Sequence, residues 1–271
     1  MYNLKDAKEY IKNADTIYIT AGAGMGVDSG LPDFRGNEGF WREYPVIRDL
    51  GYSFSAMANP QWFETNPKLA WAFYGHRLNL YRSTTPHEGF NMLKELVHTK
   101  KDYFIFTSNV DGQFQKAGFD EDKIYECHGS IHHMQCTVCD IPIYSAKDIK
   151  VDVDMEKFEA KNIPICPKCK AVARPNILMF GDWGWDSSRS YKQSIKLEQF
   201  KDNIKKYNYK TAIIEIGAGV HIPTVREEGE YTTEELGGFM VRINPRDSEI
   251  DPTLGVSISL GGLEGLRAIL R

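Results

Sequence analysis

Thr16-Ile-Tyr-Ile-Thr-Ala-Gly-Ala-Gly-Met-Gly26 is the stretch on which the reading of the fold turns. Thr16 to Thr20 is β-branched and aromatic, the composition of a buried strand. The glycines at 22, 24 and 26 then let the chain turn tightly and bring backbone N–H groups close to a phosphate at the start of a helix. Strand, tight loop and helix start together describe the opening of a dinucleotide-binding unit. The spacing departs from GxGxxG, however, because Val27 occupies the third glycine position. No acidic residue ends a second strand about twenty residues on. Taken alone, the loop equally describes an ordinary strand-to-helix turn.

Working outward, Leu4, Ala7, Tyr10 and Ile11 share one face of a helix over 4–13. Further buried strands are predicted at 103–106, 124–127, 212–216 and 239–243, with helices over 67–82, 87–98, 190–206 and 262–270. Strands alternating with helices predict an α/β fold, a Rossmann-like parallel sheet with helices on both faces. Two stretches break the rhythm. Residues 37–83 are helical and aromatic-rich without a strand, and 131–175 carry four cysteines among short β-like pieces. Both are read as insertions that form a small helical and zinc-ribbon lobe, which leaves 1–36, 84–130 and 176–271 as the dinucleotide-binding domain. No internal repeat or low-complexity tract is visible.

Of 271 residues, 42% are apolar and 26% charged, an ordinary globular balance. The formal charge of −4 argues against a phosphate-backbone binder, so no nucleic-acid partner is expected. No apolar run approaches the roughly eighteen residues of a membrane span, and MYNLKDAKEYIKN lacks a signal peptide's apolar stretch. No membrane association and a cytoplasmic location are therefore expected.

Five cysteines, with four in two CxxC pairs, fit metal ligation better than disulfides. Cys136-Thr-Val-Cys139 and Cys166-Pro-Lys-Cys169 are separated by 26 residues. Two residues between cysteines let both thiolates reach one metal, and four thiolates close a tetrahedral zinc site that is structural. A nucleic-acid-binding ribbon is disfavoured by Asp140, Asp148, Asp152, Asp154 and Glu156 in the same insertion.

His128 follows the predicted strand Ile124 to Cys127, so it emerges at a carboxyl strand end, where open α/β sheets bind ligands. Its near-neutral pKa suits proton transfer. His76, His87, His98, His132, His133 and His221 have no comparable placement and are read as surface or packing residues. In the helix over 66–81, the i, i+3 spacing of Tyr74 and Arg77 places both on one face, able to hold one carboxylate together.

GAGMGVDSGLPDFRG, residues 22–36, closely resembles the first signature of the sirtuins, GAGxSxxSGIPDFRG. Further resemblances recur in family order. Thr107 to Asp111 is similar to TQNID, Cys127-His-Gly129 to the segment of the catalytic histidine, and Arg174 to Asp182 to RPxVVxFGE. Gly217-Ala-Gly219 stands where GTS is usual, and Ile243-Asn244 resembles a late ribose contact.

The resemblance implies an NAD-consuming enzyme with structural zinc and an acylated protein as substrate. Ala21, Gly22, Ala23 and Gly24 would line the phosphates, and Asp33, Phe34 and Arg35 would cover the nicotinamide ribose. Ser108, Asn109 and Asp111 would hold the ribose and the nicotinamide carboxamide. Gly217, Ala218, Gly219 and Asn244 would complete the adenosine side, while Met179, Phe180 and Gly181 would meet the acyl-lysine. His128 would be the base for a ribose hydroxyl as the acyl-lysine oxygen displaces nicotinamide, giving free lysine, nicotinamide and O-acyl-ADP-ribose.

The segment WAFYGHR further resembles the YxxR helix of sirtuins that remove succinyl or malonyl groups. Gly26, Ser108, Met179 and the GAG tripeptide depart from the usual pattern. These changes resemble a divergent microbial branch linked with macrodomain proteins, in which some members transfer ADP-ribose to a protein. That branch implies an ADP-ribose-accepting protein as an alternative substrate and a macrodomain or carrier protein as partner. Its transferases lack the histidine present here as His128, so deacylation is the leading expectation.

Overall fold

Asn3 starts the first helix, its Oδ1 accepting from the N–H of Lys5 and of Asp6 while its own N–H donates to the Asp6 carboxylate. This capping box satisfies donors that the first helical turn leaves without partners. The computed structural model describes residues 2–32 and 36–271. Asp33, Phe34 and Arg35, expected over the nicotinamide ribose, lie outside the described residues.

In chain order the elements begin with α1 (Leu4–Asn13), β1 (Thr16–Ala21), α2 (Gly24–Val27), α3 (Gly36–Glu43), α4 (Pro45–Asp49), α5 (Phe54–Met57) and α6 (Trp62–Thr65). Then come α7 (Pro67–Ser83), α8 (Glu88–His98), β2 (Asp102–Thr107), α9 (Gln113–Lys116), a 3₁₀ turn at Glu121–Lys123 and β3 (Ile124–Glu126). The cysteine-bearing stretch forms β4 (Gly129–Cys136), β5 (Tyr144–Ser145), β6 (Val153–Asp154), β7 (Glu159–Ala160) and β8 (Ala173–Ile177). The chain ends with α10 (Ser188–Tyr207), β9 (Thr211–Ile216), α11 (Thr224–Leu236), β10 (Phe239–Ile243), β11 (Gly255–Ile258) and α12 (Gly262–Leu270).

The six strands β11-β10-β9-β1-β2-β3 form one parallel sheet. Side chains alternate across it as the pleat requires. Ile17 and Ile19 pack with Ala7, Ile11, Leu93 and Leu266 of α1, α8 and α12. Tyr18, between them in sequence, packs on the opposite face with Leu197, Phe200 and Val225 of α10 and α11. This is the two-faced, Rossmann-like sheet expected from the strand sequences. A third apolar cluster draws on 40–81 and 131–179, and includes Phe40, Trp71, Phe73, Tyr74, Met134, Phe158 and Ile177.

Outside the insertions, the short α9, the 3₁₀ turn, α11 and β11 carry no sequence expectation. α11 turns Val225, Gly229, Thr232 and Thr233 inward, so small and polar residues occupy the stripe where an apolar one would announce a helix. β11 is a short edge strand with only Val256 and Ile258 among its buried apolar side chains.

Register sets up the site. Ala21 pairs with Thr107 on one side and Ile216 on the other, Thr107 pairs with Glu126, and Ile216 pairs with Ile243. The loops opening at Gly22, Ser108, Cys127, Gly217 and Asn244 therefore leave one carboxyl edge at nearly one level. The chain runs from β1 outward to β2 and β3, then returns to β9 on β1's other side, so the topological switch lies between β1 and β9. Ligands of open α/β sheets bind at such a point.

Candidate active site

At that switch two backbones touch. Gly217 has φ +65°, and a Cβ there would sit 2.4 Å from Gly24 Cα. A side chain at 217 is excluded both by its left-handed conformation and by this contact. The N–H of Gly24 donates to the Gly217 carbonyl at 3.1 Å, locking the β1 loop to the β9 loop.

Above this seam a cavity of about 620 Å³ opens. Strand order dictates what lines it from end to end. Asp247 follows β10, Ala218, Gly219, His221 and Ile222 follow β9, and Gly22 and Ala23 follow β1. Ser108, Asn109 and Asp111 follow β2, and His128 follows β3. A cavity of this size falls within the range that holds small-molecule ligands. Small residues from two loops on one side and polar groups on the other fit an elongated, phosphate-bearing dinucleotide such as NAD. Adenosine would lie toward β9 and β10, and the nicotinamide end toward β2 and β3.

Each polar group on the β2–β3 side is fixed. Asn109 donates its N–H to the Thr107 hydroxyl oxygen at 3.0 Å and its Nδ2 to the Gly22 carbonyl at 2.9 Å. Asp111 accepts the Gln113 N–H at 2.9 Å, while its carbonyl faces His132 Nε2 at 2.9 Å, which must therefore carry the proton. Burial pushes the Asp111 carboxyl up to about 6, opposed by the Gln113 N–H and by Arg77, with Glu126 adding to the rise.

His128 is delivered by continuation of the sheet. Cys127 N–H donates to the Thr107 carbonyl, and Gly129 then turns the chain out with φ +79°. A Cβ at 129 would lie 2.1 Å from the Asn176 carbonyl oxygen. The His128 carbonyl accepts the Leu178 N–H at 2.9 Å. Its imidazole, half-buried on the cavity wall, is held below the ordinary histidine value by burial, partly offset by a backbone hydrogen bond at Ser108. A neutral imidazole at neutral pH can accept a proton.

Farther in, Tyr74, Arg77 and Tyr81 of α7 line the same cavity. Arg77 donates through Nε and Nη2 to the Tyr81 hydroxyl at 3.0 and 2.8 Å, and its guanidinium faces the rings of Phe73, Tyr74 and Tyr81. Burial works against its charge, but the surrounding tyrosines hold its pKa above the usual arginine value. Burial also pushes the Tyr74 hydroxyl up to about 12, keeping it a neutral donor.

The four cysteines meet outside this cavity. Cys136 and Cys169 Sγ lie 3.5 Å apart, Cys139 and Cys166 Sγ 3.6 Å apart, and all four fall within 4.8 Å of one another. Disulfide sulfurs would be about 2.05 Å apart. Tetrahedral zinc with bonds of about 2.3 Å puts thiolates roughly 3.8 Å apart. The donor set and its spacing fit closed, structural zinc.

The Sir2 family model matches residues 22–222. The chain belongs to the Sir2 family. Among its relatives, NAD-dependent protein deacylase 1 of Caldanaerobacter subterraneus subsp. tengcongensis is 26% identical over 262 residues, covering 97% of this chain and 96% of its own. An NAD-dependent protein deacylase of Leptospira interrogans serogroup Icterohaemorrhagiae serovar Lai is 29% identical over 262 residues, covering 95% and 94%. A solved Sir2 homologue–NAD complex superposes with a TM-score of 0.73 at 22% identity, covering 98% of this chain and 92% of that one. At that identity the superposition speaks to the fold.

Within this Sir2-family fold the sequence-predicted residues divide. Gly22, Ala23, Ser108, Asn109, Asp111, His128, Ala218, Gly219, Tyr74, Arg77, Met179 and Phe180 line the cavity. Ala21, Gly24, Gly217, Gly181 and Asn244 lie off its lining. Asn244 is fully buried and donates to the Ala218 carbonyl at 2.6 Å while accepting the Arg246 and Asp247 N–H groups. It thus braces the loop that presents Asp247. Of the histidines read as packing, His87 caps α8 and His76 meets the Tyr44 hydroxyl at 2.9 Å. His221 is exposed, as a surface residue, but it also lines the cavity. The signal for it, a histidine four residues past a glycine that ends a predicted strand, was available in the sequence. Tyr81 carried the signal of its i+4 spacing from Arg77 on the same helical face, whereas Asp247 carried none.

Proposed function

We propose that this Sir2-family chain is an NAD-dependent protein lysine deacylase releasing nicotinamide and O-acyl-ADP-ribose. The observation that carries the proposal is His128 at the carboxyl edge, facing the same cavity as Asn109, Asp111 and the two small-residue loops. When bound, NAD supplies a ribose carbon that loses nicotinamide and a ribose hydroxyl that receives the acyl group. Asn109, tied to the Gly22 carbonyl, and Asp111 orient the nicotinamide end. His128 accepts the ribose hydroxyl proton at the moment the oxygen becomes a nucleophile. Leu31, Val110, Ile177 and Met179 give the wall an apolar surface that keeps bulk water from competing at the ribose carbon. The acyl-lysine oxygen displaces nicotinamide there, the ribose hydroxyl then attacks the acyl carbon, and the one water the reaction consumes adds to that carbon as the lysine amine leaves. Incubation with NAD and a panel of acyl-peptides, macrodomains and carrier proteins, followed by mass spectrometry, tests this. Loss of the acyl mass only when NAD is present is expected, and gain of ADP-ribose mass with the acyl group intact would overturn the reading. His128 and the relatives' names both favour deacylation over ADP-ribosyl transfer.

We assign residues 1–36, 84–130 and 176–271 to the NAD-binding domain, and 37–83 and 131–175 to the small lobe, with support from an apolar cluster drawn mainly from 40–81 and 131–173, which Leu31, Val110, Ile177 and Met179 join from the larger domain. Four reduced thiolates call for a reducing compartment, which supports the cytoplasm. Among the described residues no helix is long and apolar enough to cross a membrane.

The pH profile follows from His128. A base is active when unprotonated, so kcat/KM should rise with pH and level off once the imidazole is neutral. Because burial lowers its pKa from 6.5, that rise should be centred below pH 6.5. A rise centred above pH 7 would assign the limb to another group.

Arg77, Tyr74 and Tyr81 support a preference for acyl groups ending in a carboxylate, since a buried guanidinium and neutral tyrosine hydroxyls are donors matched to it. Arg77→Met should lower kcat/KM on succinyl-peptide at least about tenfold, from a charged hydrogen bond worth roughly 1.5–3 kcal/mol, and spare acetyl-peptide. Equal losses on both substrates would make Arg77 a packing residue of α7.

A further inference from the structure

The loop between β2 and α9 carries Asn109 and Asp111 to the cavity wall, and the start of β4 holds it. Two successive residues of β4 grip two successive residues of the loop. Ile131 N–H donates to the Val110 carbonyl at 3.0 Å, and His132 Nε2 meets the Asp111 carbonyl at 2.9 Å. A carbonyl only accepts, so Nε2 is the donor. The second grip therefore depends on a side chain, which reading His132 as a packing residue does not account for.

The turn beside Asp111 is shaped to receive that ring. Gly112 has φ +69°, and a Cβ there would lie 2.6 Å from His132 Cδ2 and 2.9 Å from Nε2. Only glycine leaves room for the imidazole to reach the neighbouring carbonyl. Gln113 follows, its N–H holding the Asp111 carboxylate at 2.9 Å and its Nε2 donating to the Tyr81 carbonyl at 3.2 Å. Asp111 is thus held twice, by its carboxylate from α9 and by its carbonyl from β4. The backbone that mounts the imidazole is fixed without it. His132 accepts the Ala146 N–H at its carbonyl at 2.8 Å and donates its own N–H to the Ser130 hydroxyl oxygen at 3.3 Å.

We propose that His132 is a positioning residue, which holds Asp111 toward the nicotinamide end of NAD by donating its Nε2 proton to the Asp111 backbone carbonyl. The proposal rests on the reading of this cavity as the NAD site of a deacylase and adds a residue to it. Asp111 reaches the cavity from a loop, so its carboxylate is only as well placed as the backbone beneath it. A misplacement of about 1 Å can cost up to about a hundredfold in rate.

Three variants test it. His132→Phe keeps a ring and removes the donor, His132→Gln places an amide N–H at the reach of Nε2, and His132→Asn falls one methylene short. Each is titrated with NAD and with ADP-ribose, which lacks nicotinamide, and assayed at saturating acyl-peptide. His132→Phe and His132→Asn should weaken NAD about tenfold and leave ADP-ribose unchanged. They should lower kcat/KM for NAD at least as much, while KM for acyl-peptide holds. His132→Gln should restore most of both. If His132→Phe does not fold, the Gln and Asn variants, alike in chemistry, still decide. Equal weakening of NAD and ADP-ribose, weakening of neither, or a Gln variant no better than Asn overturns the proposal. Selectivity for NAD that follows the variants as expected, in a protein that removes no acyl group from any peptide, would count instead against the deacylase reading.

Discussion

Replacing His128 by alanine is expected to reduce deacylation by about 10²- to 10⁴-fold, the usual cost of losing a general base, while NAD still binds. The separation of effects follows from geometry. The residues proposed to meet adenosine and phosphates, Gly22, Ala23, Ala218, Gly219 and Asp247, follow β1, β9 and β10, whereas His128 follows β3 at the edge of the sheet. The fold should also survive, because His128 holds Leu178 through its backbone carbonyl, which remains in alanine, and only the imidazole's hydrogen bond at Ser108 is lost. Calorimetric titration with NAD, steady-state kinetics and a melting curve measure the three quantities. Normal turnover of acyl-peptide by the variant would make His128 a structural residue and remove the base from the mechanism.

Cys166→Ala is expected to release the metal and unfold the cysteine-bearing stretch. Cys166 is fully buried beside Cys139, and three thiolates no longer close a tetrahedral shell. Metal binding of this kind is folding free energy, on the order of 10 kcal/mol in small zinc domains. The damage should reach the active site, because β4 runs from Gly129, next to His128, to Cys136 and pairs with β8, which leads into Leu178 and Phe180. Metal analysis should give one zinc per native chain and none in the variant, with activity lost in parallel. A folded, zinc-free protein, or full stability after strong chelation, would contradict this account.

Much of this was readable in the chain. Strands buried on both faces, such as Ile17 to Thr20 and Ala212 to Ile216, write themselves as short runs rich in β-branched residues, so the parallel sheet was legible. The four cysteines were legible because tetrahedral thiolate chemistry imposes CxxC spacing. α11 was not, since its inward stripe is Val225, Gly229, Thr232 and Thr233. The site was legible where function resides in short motifs at strand ends, as at Gly22, Asn109 and His128. It was illegible where a residue reaches the cavity only through tertiary approach, as Asp247 does from the brace made by Asn244. The Arg174–Asp182 clamp likewise depends on a buried pairing that spacing alone does not announce.

The central claim is that the acyl group leaves lysine for the ribose of NAD. A peptide carrying an isotopically labelled acyl group, reacted with limiting NAD, tests it in one experiment. The account predicts one nicotinamide released per acyl group lost, with the label recovered in an ADP-ribose product. Label recovered as the free acid while NAD stays intact, or label retained on a peptide that has gained ADP-ribose, would contradict it.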